Sequence, residues 1–412
     1  MGQETGGTLS MVRTASLFSQ LLREVPQIDF ERLVREHGAE RHAKGFTCRT
    51  QLVSMLFCHL AGADSLREIC NGLACCLGKL THLGVRSAPN KSTLAYANSH
   101  RPAGLYEDLV WAVLNRFKSS GRFGRSQHKF RFKNKLFSFD STTISLCLRV
   151  FPWARFRRAK GGVKVHVLLD HGDYMPAFAV ITEAKKHDVK LAASLHLNPG
   201  SIVAMDRAYN DYRLFSRLTE RGVFFVTRMK SNAVYEVVER RRVPLNRNIL
   251  SDEILRLADP RAAEKCGHPL RRVVVRDESN DRVIVLLTNH LAFGATTIAD
   301  IYKDRWKIEL FFKALKQNLK VKTFIGTTEN ALRIQIWTAL LALVLMKWLH
   351  HLSRAAWSFS NLASLLRLNL FTYRDLMDWL ANPLNTPPLI PSAAQLTLPF
   401  THLGQPTTGV TR

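Results

Sequence analysis

Acidic residues are scarce in this chain of 412 residues. It carries 33 Asp and Glu against 59 Lys and Arg, which gives a formal net charge of +26. Such an excess of cations favours a polyanionic partner, and above all nucleic acid, because protein cations displace the counterions that surround phosphates. An acidic membrane surface is the competing partner. The sequence disfavours it, since it has neither a lipidation motif nor a basic amphipathic terminal helix.

Cysteine motifs, a signal segment and a long apolar span are missing as well. The seven cysteines are odd in number and include no pair of C-x-x-C units, which argues against a zinc site and for a reducing, cytoplasmic compartment. The first 16 residues hold no apolar signal core, and Met11 is an alternative start to Met1. The longest apolar run, residues 334–349, is short for a membrane span and contains Gln335 and Lys347. It therefore predicts a buried helix, and we expect no membrane partner.

Motifs of two common enzyme classes are also lacking. No Walker-type phosphate loop is present, and Lys160-Gly161-Gly162 is only a turn signal. Ser138 and Ser141 have no evident base and orienting partner, so a serine hydrolase triad is not predicted.

The first third of the chain has helical patterns. We expect a flexible N-terminus over residues 1–14 and a helical domain over residues 15–118. A small helical bundle ahead of a basic linker suits a reader of DNA ends, although a plain folding or dimerisation module accounts for it equally well. Helix starts are predicted at or just after Asp29, Thr47, Ser65, Ser92 and Pro102.

A basic linker follows over residues 119–135. Its cations, and those just before it, alternate with Phe117, Phe123, Phe130 and Phe132. Two interpretations are open. The segment is either a solvated linker whose phenylalanines pack onto a neighbour, or a strip that follows phosphates and offers rings for stacking.

Strand patterns dominate the middle of the chain. Residues 136–231 read as three strands, a helix, a strand, a helix and a strand, which predicts an α/β fold with a mixed sheet covered by helices that resumes over residues 296–350. Residues 232–295 predict a β-rich insertion around a charged helical piece, SDEILRLADPRAAEK. Residues 351–412 predict a C-terminal helical segment followed by a tail rich in Pro and Thr.

One stretch, residues 301–320, predicts a single helix because it lacks Pro and Gly and is rich in helix formers. At about 100° per residue, Tyr302, Arg305, Glu309 and Lys316 share one stripe beside an apolar stripe. Tyr302 and Lys316 would lie roughly 20 Å apart at about 1.5 Å of rise per residue, so the four cannot share one reacting atom.

Glu309 then has two interpretations. A carboxylate flanked by a hydroxyl, a guanidinium and an ammonium suits a metal ligand whose neighbours hold phosphates. Alternatively, the helix is solvated and Glu309 pairs with Arg305 and Lys313 at the four-residue spacing.

Two aspartates lie at or near the ends of apolar strands, where an ionised side chain is costly and where ligands collect in open α/β sheets. They are Asp140 in FSFDSTT and Asp206 in VAMDRAY. Alone, either is more often a turn or a cap, and Asp206 is placed to cap the helix that follows it. With Glu309 they predict two-metal phosphoryl transfer that uses Mg²⁺. For His187-Asp188 we favour a helix cap over a pair near the site.

These motifs together resemble a known family. FSFDSTT, VAMDRAY and the spacing Tyr302, two residues, Arg305, three residues, Glu309, six residues, Lys316 resemble the signature of bacterial insertion-sequence transposases of the DDE type. More narrowly, they resemble the group defined by its Tyr-Arg-Glu-Lys helix. NKSTLAYANSHR is similar to part of their N-terminal domain, and NALRIQIWTALLALVLMKWL is similar to the helix that closes their core.

The resemblance implies an RNase H-like catalytic core with a β-rich insertion, in a bacterial protein that acts in the cytoplasm on chromosomal DNA. It implies a homodimer that pairs two transposon ends of double-stranded DNA, cleaves a strand at each end and uses the freed 3′-hydroxyl to attack target DNA. It also implies the use of Mg²⁺, with Mn²⁺ able to substitute. A catalytically silent protein that binds DNA ends, a decayed or repurposed copy, is the alternative. The implied catalytic metal ligands are Asp140, Asp206 and Glu309, and the implied DNA contacts are Tyr302, Arg305 and Lys316.

Some members of this family pass through a DNA hairpin, assisted by a Trp of the insertion that stabilises a flipped base. No Trp lies between Asp206 and Tyr302 in this chain. A hairpin route would therefore need a substitute ring from among Phe224, Phe225, Tyr235 and Phe293.

Overall fold

A computed structural model describes most of the chain. The predicted flexible N-terminus, His187, Lys320, the linker residue Phe123 and the tail beyond residue 389 lie outside the described residues. Those residues are 15–41, 43–76, 78–121, 129–157, 160–184, 188–245, 247–278, 280–318, 324–353, 355 and 357–389.

The N-terminal part is helical, as the sequence predicts. Thr47 and Ser65 cap their helices, because each side-chain oxygen accepts the backbone N–H three residues later. Two predicted starts are wrong: Asp29 lies in the first turn of a helix that begins after Pro26, and Asn90, not Ser92, precedes its helix. The helices are α1 Leu17–Arg23, α2 Gln27–Glu36, α3 Cys48–Phe57, α4 Leu66–Ala74, α5 Lys91–His100 and α6 Gly104–Ser119.

The middle of the chain forms one sheet with three short helices. In chain order these elements are β1 Leu136–Leu146, β2 Arg155–Arg157, β3 Lys160–Asp170, β4 Pro176–Glu183, α7 Asp188–Ala193, β5 Ile202–Met205, α8 Tyr212–Glu220, β6 Phe224–Arg228, β7 Tyr235–Arg240, β8 Ile249–Leu257, α9 Pro260–Lys265, β9 Leu270–Asp277 and β10 Arg282–Thr288.

The order of the central strands is that of an RNase H-like sheet, which confirms the expected fold class. β1, β5 and β6 are parallel neighbours, while β3 pairs antiparallel with β1 on one side and with β4 on the other. The β-rich segment continues the same sheet, because β10 pairs antiparallel with β6 and is followed outward by β9, β8 and β7. The strands beyond β6 therefore widen the central sheet.

One predicted helix in this segment is wrong. Residues 251–257 form most of β8, which pairs with β7 and β9, and only α9 is helical, capped by the side chain of Asp259. Helix-forming residues such as Glu253 and Leu255 go into a strand because two flanking strands satisfy the backbone and buried Arg271 neutralises Asp252.

The predicted helix over residues 301–320 is interrupted. The structure has α10 Ala295–Asp304, α11 Trp306–Lys313 and a π-helical turn at Ala314–Asn318. Arg305 ends α10 and begins α11, and its N–H bonds the carbonyl of Tyr302 at 3.2 Å, in the tighter three-residue pattern. The rotation of about 100° per residue of a regular α-helix is therefore not kept across Arg305 or in the π-helical turn that contains Lys316.

The most apolar helix is α12, Glu329–Leu352. By length and composition it could cross a membrane, yet 89% of its apolar window is buried inside the protein. Trp348 stacks on Phe117 at 4.4 Å, and Trp337 meets Trp111 at 6.4 Å. The predicted buried helix is confirmed. Two further helices, α13 Phe359–Asn369 and α14 Leu376–Ala381, complete this helical layer.

A buried ion pair holds the loop that leads into α10. Arg271 of β9 donates to both carboxylate oxygens of Asp252, at 2.8 and 2.7 Å, and both side chains are almost fully buried. Its Nη1 also donates to the carbonyls of Leu291 and Phe293. One guanidinium therefore ties β8 and β9 to the start of the helix that carries the predicted site.

Replacing Arg271 with Met is expected to lower the free energy of unfolding by about 3–5 kcal/mol, because it leaves Asp252 buried without a partner. The matched control is Arg272→Met on the same strand, whose partner Glu253 keeps more contact with water, so the expected loss is smaller than that of Arg271→Met. Urea unfolding of the three proteins measures both values. Equal losses for the two variants would contradict this account of Arg271.

His290, in the same loop, is expected to make stability fall in acid. Its ring lies between Phe224 and Phe293, and its Nδ1 accepts the N–H of Phe293 at 3.2 Å. Burial, and then the charge of Arg271, lower the pKa of His290 to about 4. An unfolded His titrates near pH 6.5, so its contribution is complete above that pH and is lost as pH falls to about 4, by up to about 3 kcal/mol.

Melting temperatures between pH 7 and pH 4 test this, with His290→Asn as the control that keeps an acceptor but does not titrate there. The difference between the two proteins should shrink as pH falls. Parallel curves would show that His290 is not responsible.

Candidate active site

Two of the predicted carboxylates meet because their strands are parallel neighbours. β1 and β5 pair in a register that places Phe139 opposite Met205. The next residue on each strand path is Asp140 and Asp206, respectively. Both aspartates therefore lie at the carboxyl-terminal edge of β5, where ligands bind in open α/β sheets.

Asp206 does not act as a helix cap. A short 3₁₀ turn, Arg207–Tyr209, follows it, but the side chain of Asp206 makes no capping hydrogen bond there. Its carboxylate has no hydrogen bond or ion pair to any part of the chain that the structure describes. The cap interpretation is wrong, and a half-buried carboxylate is available to a ligand.

Asp140 is mostly buried, with 19% of its side chain exposed. Burial, and to a lesser extent the charges of Asp206 and Glu309, raise the pKa of this carboxyl to about 6. The N–H of Ser141, which donates to Oδ1 at 2.8 Å, and the guanidinium of Arg305 oppose that shift of the pKa. Negative charge is thus concentrated where solvent is largely excluded.

Arg305 links the helix to the strand carboxylates. Its Nη1 donates to Oδ2 of Asp140 at 3.3 Å, and its Nη2 donates to Glu309. The pairing of Glu309 with Arg305 was expected for a solvated helix, but here Arg305 is only 11% exposed and is shared with Asp140. Lys313 makes no ion pair with Glu309 among the described contacts. The interpretation as a plain solvated helix therefore does not fit.

The three carboxylates suit a divalent ion by their chemistry. Carboxylate oxygens are the ligands that hard divalent cations prefer, and excess negative charge surrounds Asp140. Within the described ranges, however, no three His, Cys, Asp or Glu side chains come close enough together to hold one ion. The guanidinium of Arg305, between Asp140 and Glu309, supplies positive charge in this arrangement.

Tyr302 and Lys316 lie on either side of this cluster. The ring of Tyr302 is buried, with the guanidinium carbons of Arg305 and Arg228 at 5.5 and 5.6 Å from its centre. Burial raises the pKa of Tyr302, and both guanidinium groups oppose the shift. Lys316 donates to the carbonyl of Thr143 at 2.9 Å, three residues beyond Asp140. The ring of Tyr302 thus packs against the guanidinium of Arg305, and Lys316 contacts β1 near its carboxyl-terminal end.

Two further charged residues near the site, Arg228 and Lys164, were missed from the sequence. Arg228 ends β6, the parallel neighbour of β5, so the strand-end rule that found Asp206 could have found it. Lys164 contacts both oxygens of Asp188 at 2.9 and 3.0 Å, and Ser141 donates to Asp188 at 3.3 Å. Asp188 therefore lies near the site, which is the interpretation we did not favour.

The prediction that Ser138 lacks a base and an orienting partner is wrong. Its Oγ lies 2.7 Å from Nε2 of His171, whose Nδ1 lies 2.6 Å from Oδ2 of Asp304. The partners were not evident because they are 33 and 166 residues away in sequence. Ser138 is fully buried, so its hydroxyl cannot reach a substrate, and the arrangement is not a hydrolase site.

The described part of the linker combines both interpretations. Phe130 stacks on Phe132, and Phe132 on Phe293, each at 4.9 Å between ring centres. The rings are therefore packed against the core, as a plain linker requires. Arg131 and Lys133 are exposed and line a cavity of about 690 Å³, so these two cations face solvent, whereas Lys129 pairs with Asp304.

Comparison with known proteins identifies the family. The family profile described as "Transposase DDE domain" matches residues 131–345, more than half of the chain, and a domain family of unknown function matches residues 13–86. The chain is 31% identical over 294 residues to the "Putative transposase y4zB" of Sinorhizobium fredii, covering 70% of this chain and 80% of that protein.

A second relative is the "Probable transposase for insertion sequence element IS5377" of Geobacillus stearothermophilus. It is 34% identical over 232 residues, which cover 55% of this chain and 59% of that protein. The solved structure of a piggyBac transposase synaptic complex with hairpin DNA covers 90% of this chain and 81% of its own at 11% identity. Its TM-score is 0.41, which is too low to support an argument about fold.

These findings confirm the resemblance to DDE transposases, while membership of the narrower Tyr-Arg-Glu-Lys group stays a prediction. The matched DDE profile spans Asp140, Asp206 and Glu309, the three carboxylates that carry the resemblance. The chain therefore belongs to the DDE transposases of insertion sequences.

Proposed function

We propose that this transposase binds the terminal inverted repeats of its insertion sequence and catalyses metal-dependent cleavage and transfer of DNA strands. The observation that carries the proposal is the adjacency of Asp140 and Asp206 at the ends of β1 and β5, with Glu309 joined to Asp140 through Arg305. One reaction, metal-dependent phosphoryl transfer, therefore accounts for the two strand carboxylates and the helix carboxylate together.

In this proposal Asp140, Asp206 and Glu309 would hold Mg²⁺, with Mn²⁺ able to substitute, once they approach more closely than in the arrangement described above. When bound, the ion supplies a Lewis acid for the attacking and leaving oxygens. The residues of the chain do the rest. Asp206 has a free carboxylate, and burial of Asp140 keeps water from competing for its oxygens. Arg305 is within reach of both a carboxylate and an incoming phosphate, and its planar fork suits either partner.

Two adjoining grooves support a path for double-stranded DNA to this site. One has a volume of about 310 Å³ and is lined by Arg207, Lys230 and Arg272 among others. The other, of about 360 Å³, reaches Tyr302, Arg305 and the exposed Trp306. Both are lined by Arg228 and Arg282. Cations therefore extend across the sheet from Arg207, next to Asp206, to Arg305, which pairs with Glu309. Phosphates of a duplex suit such a row.

Further features of the family remain proposals for this chain. They are membership of the Tyr-Arg-Glu-Lys group, a homodimer on paired ends, and action in the bacterial cytoplasm. For a hairpin route, Phe225 is fully buried and Phe224 and Phe293 pack on His290. Tyr235, which lines the smaller groove, is the ring best placed to meet a base.

A catalytically silent protein that binds DNA ends is the second candidate. The contact that favours it is the pairing of Arg305 with both Asp140 and Glu309, which gives each carboxylate a positive partner without an ion. Cleavage by the purified protein separates the two candidates.

Replacing Asp140 with Asn, or Glu309 with Gln, is expected to abolish strand breaks, with a loss of at least roughly 100-fold in rate, because a carboxylate ligand of the ion is removed. The substrate is a DNA fragment with the gene and its flanks, incubated with Mg²⁺, and breaks are mapped to the nucleotide. Glu236→Gln, an exposed carboxylate of β7, is the matched control. If the wild type binds the ends but cuts with neither Mg²⁺ nor Mn²⁺, the silent candidate is correct.

Arg305 and Lys316 are expected to contact phosphates. Replacing either with Ala should weaken end binding and reduce the slope of log K against log salt by about 0.9, the value for one lost phosphate contact. Lys265→Ala, an exposed cation of α9 outside both grooves, should leave the slope unchanged. Binding measured by fluorescence anisotropy from 50 to 200 mM salt checks this, and an unchanged slope for Arg305→Ala would remove it from the DNA contacts.

A further inference from the structure

A buried hydrogen-bonded relay lies beneath the carboxylates. It runs from Ser138 of β1 through His171, in the turn after β3, to Asp304 at the end of α10, with contacts of 2.7 and 2.6 Å. The three side chains are nearly inaccessible to solvent. Neither the proposed cleavage chemistry nor the DNA contacts use any of them.

The direction of the relay follows from its charges. Although burial opposes ionisation, hydrogen bonds from His171 and Lys129 hold the pKa of Asp304 far below its usual range. An ionised carboxylate can only accept, so Nδ1 of His171 donates to it. Nε2 of the same ring lies 2.7 Å from Oγ of Ser138, so the ring bonds both of its neighbours. Every polar group in the relay thereby has a partner.

Asp304 also gathers segments that are far apart in sequence. Lys129 of the basic linker lies 2.7 Å from Oδ1, and the hydroxyl of Tyr174 donates to Oδ2 at 3.3 Å. The linker, the β3–β4 turn and the central strand are all attached to one carboxylate. That carboxylate belongs to the residue before Arg305.

The two ends of the relay are therefore both next to the site. Ser138 lies two residues before Asp140 on β1, and strand alternation puts both on the same face of the sheet. Asp304 directly precedes Arg305, where α10 ends and α11 begins. Fixing Asp304 to Ser138 fixes the helix break relative to the strand that carries Asp140.

We propose that Asp304 is a positioning residue for strand cleavage, which acts through His171 and Ser138 to hold Arg305 against Asp140 and Glu309. The proposal rests on the proposed function for its catalytic consequence. Its structural part, the placement of the turn at Arg305, does not need DNA. The two parts are therefore measured separately.

The structural part is tested by hydrogen exchange in the free, full-length protein. Asp304→Asn and His171→Gln should speed exchange at least 10-fold for the amides of Arg305 and Ile308, which bond across the turn. Asp300→Asn, an exposed carboxylate on the same helix, is the matched control and should change nothing. Lys129→Met keeps the relay, so exchange should stay within 3-fold.

The catalytic part is tested by single-turnover cleavage at saturating end DNA with Mg²⁺. Asp304→Asn should cut at least 10-fold more slowly, and its Kd for end DNA should rise by no more than that of Arg305→Ala, the contact that Asp304 positions. A residue with a merely structural role would instead lower the melting temperature and weaken end binding beyond the loss seen for Arg305→Ala. His171→Gln, which leaves Asp304 and its bond to Lys129 in place, should reproduce the slow cleavage.

Three results would overturn the proposal. They are unchanged exchange at Arg305 in both relay variants, an equal effect of Lys129→Met, and wild-type cleavage by Asp304→Asn. A wild-type protein that cuts no DNA would instead refute the proposed function and with it the catalytic consequence. The exchange experiment would then still decide whether the relay holds the turn.

Discussion

The arrangement of the site depends on how negative charge is balanced at the carboxyl-terminal edge of β5. Asp140 is largely desolvated, and two more carboxylates raise its pKa. An unpaired ion in such a place costs several kcal/mol, so the site requires a nearby cation at all times. Arg305 is that cation in this arrangement, and an arginine suits the task because it stays charged at any physiological pH and can bond two carboxylates at once.

The surroundings of Arg305 are built to keep it there. Arg271 fastens the loop before α10 to β8 and β9, and Asp304 fastens the end of α10 to β1 through the buried relay. α10 is therefore held at both ends by buried charged groups, not by apolar packing alone. Tyr302, between these anchors, offers its ring to Arg305 and Arg228. A helix fixed in this way can carry a cation at a defined position beside two strand carboxylates.

Local patterns in the sequence were enough to find the parts of this design but not their connections. Asp140 and Asp206 are visible because a carboxylate interrupts an apolar strand, and the spacing from Arg305 to Glu309 is visible because it is one helical turn. The helix predicted for residues 251–257 failed because its propensity is local, whereas the pairing with β7 and β9 and the contact of Asp252 with Arg271 are not. The relay was not predicted for the same reason, because no local pattern around Ser138 indicates that His171 and Asp304 lie beside it in the fold.

The interruption of the predicted helix at Arg305 has a physical reason in these two sets of contacts. Asp304 and Arg305 are consecutive and opposite in charge, and each is committed to a partner on β1: Asp304 reaches Ser138 through His171, and Arg305 reaches Asp140 directly. Consecutive side chains diverge by about 100° in an α-helix and by about 120° in the tighter three-residue turn, so the two reach β1 by separate routes, Arg305 directly and Asp304 through the ring of His171. Each contact fixes one side of the break, because Asp304 ends α10 and Glu309, one turn beyond Arg305, belongs to α11. The break therefore lies between a carboxylate held for structure and a guanidinium held for the site, both fixed to one strand.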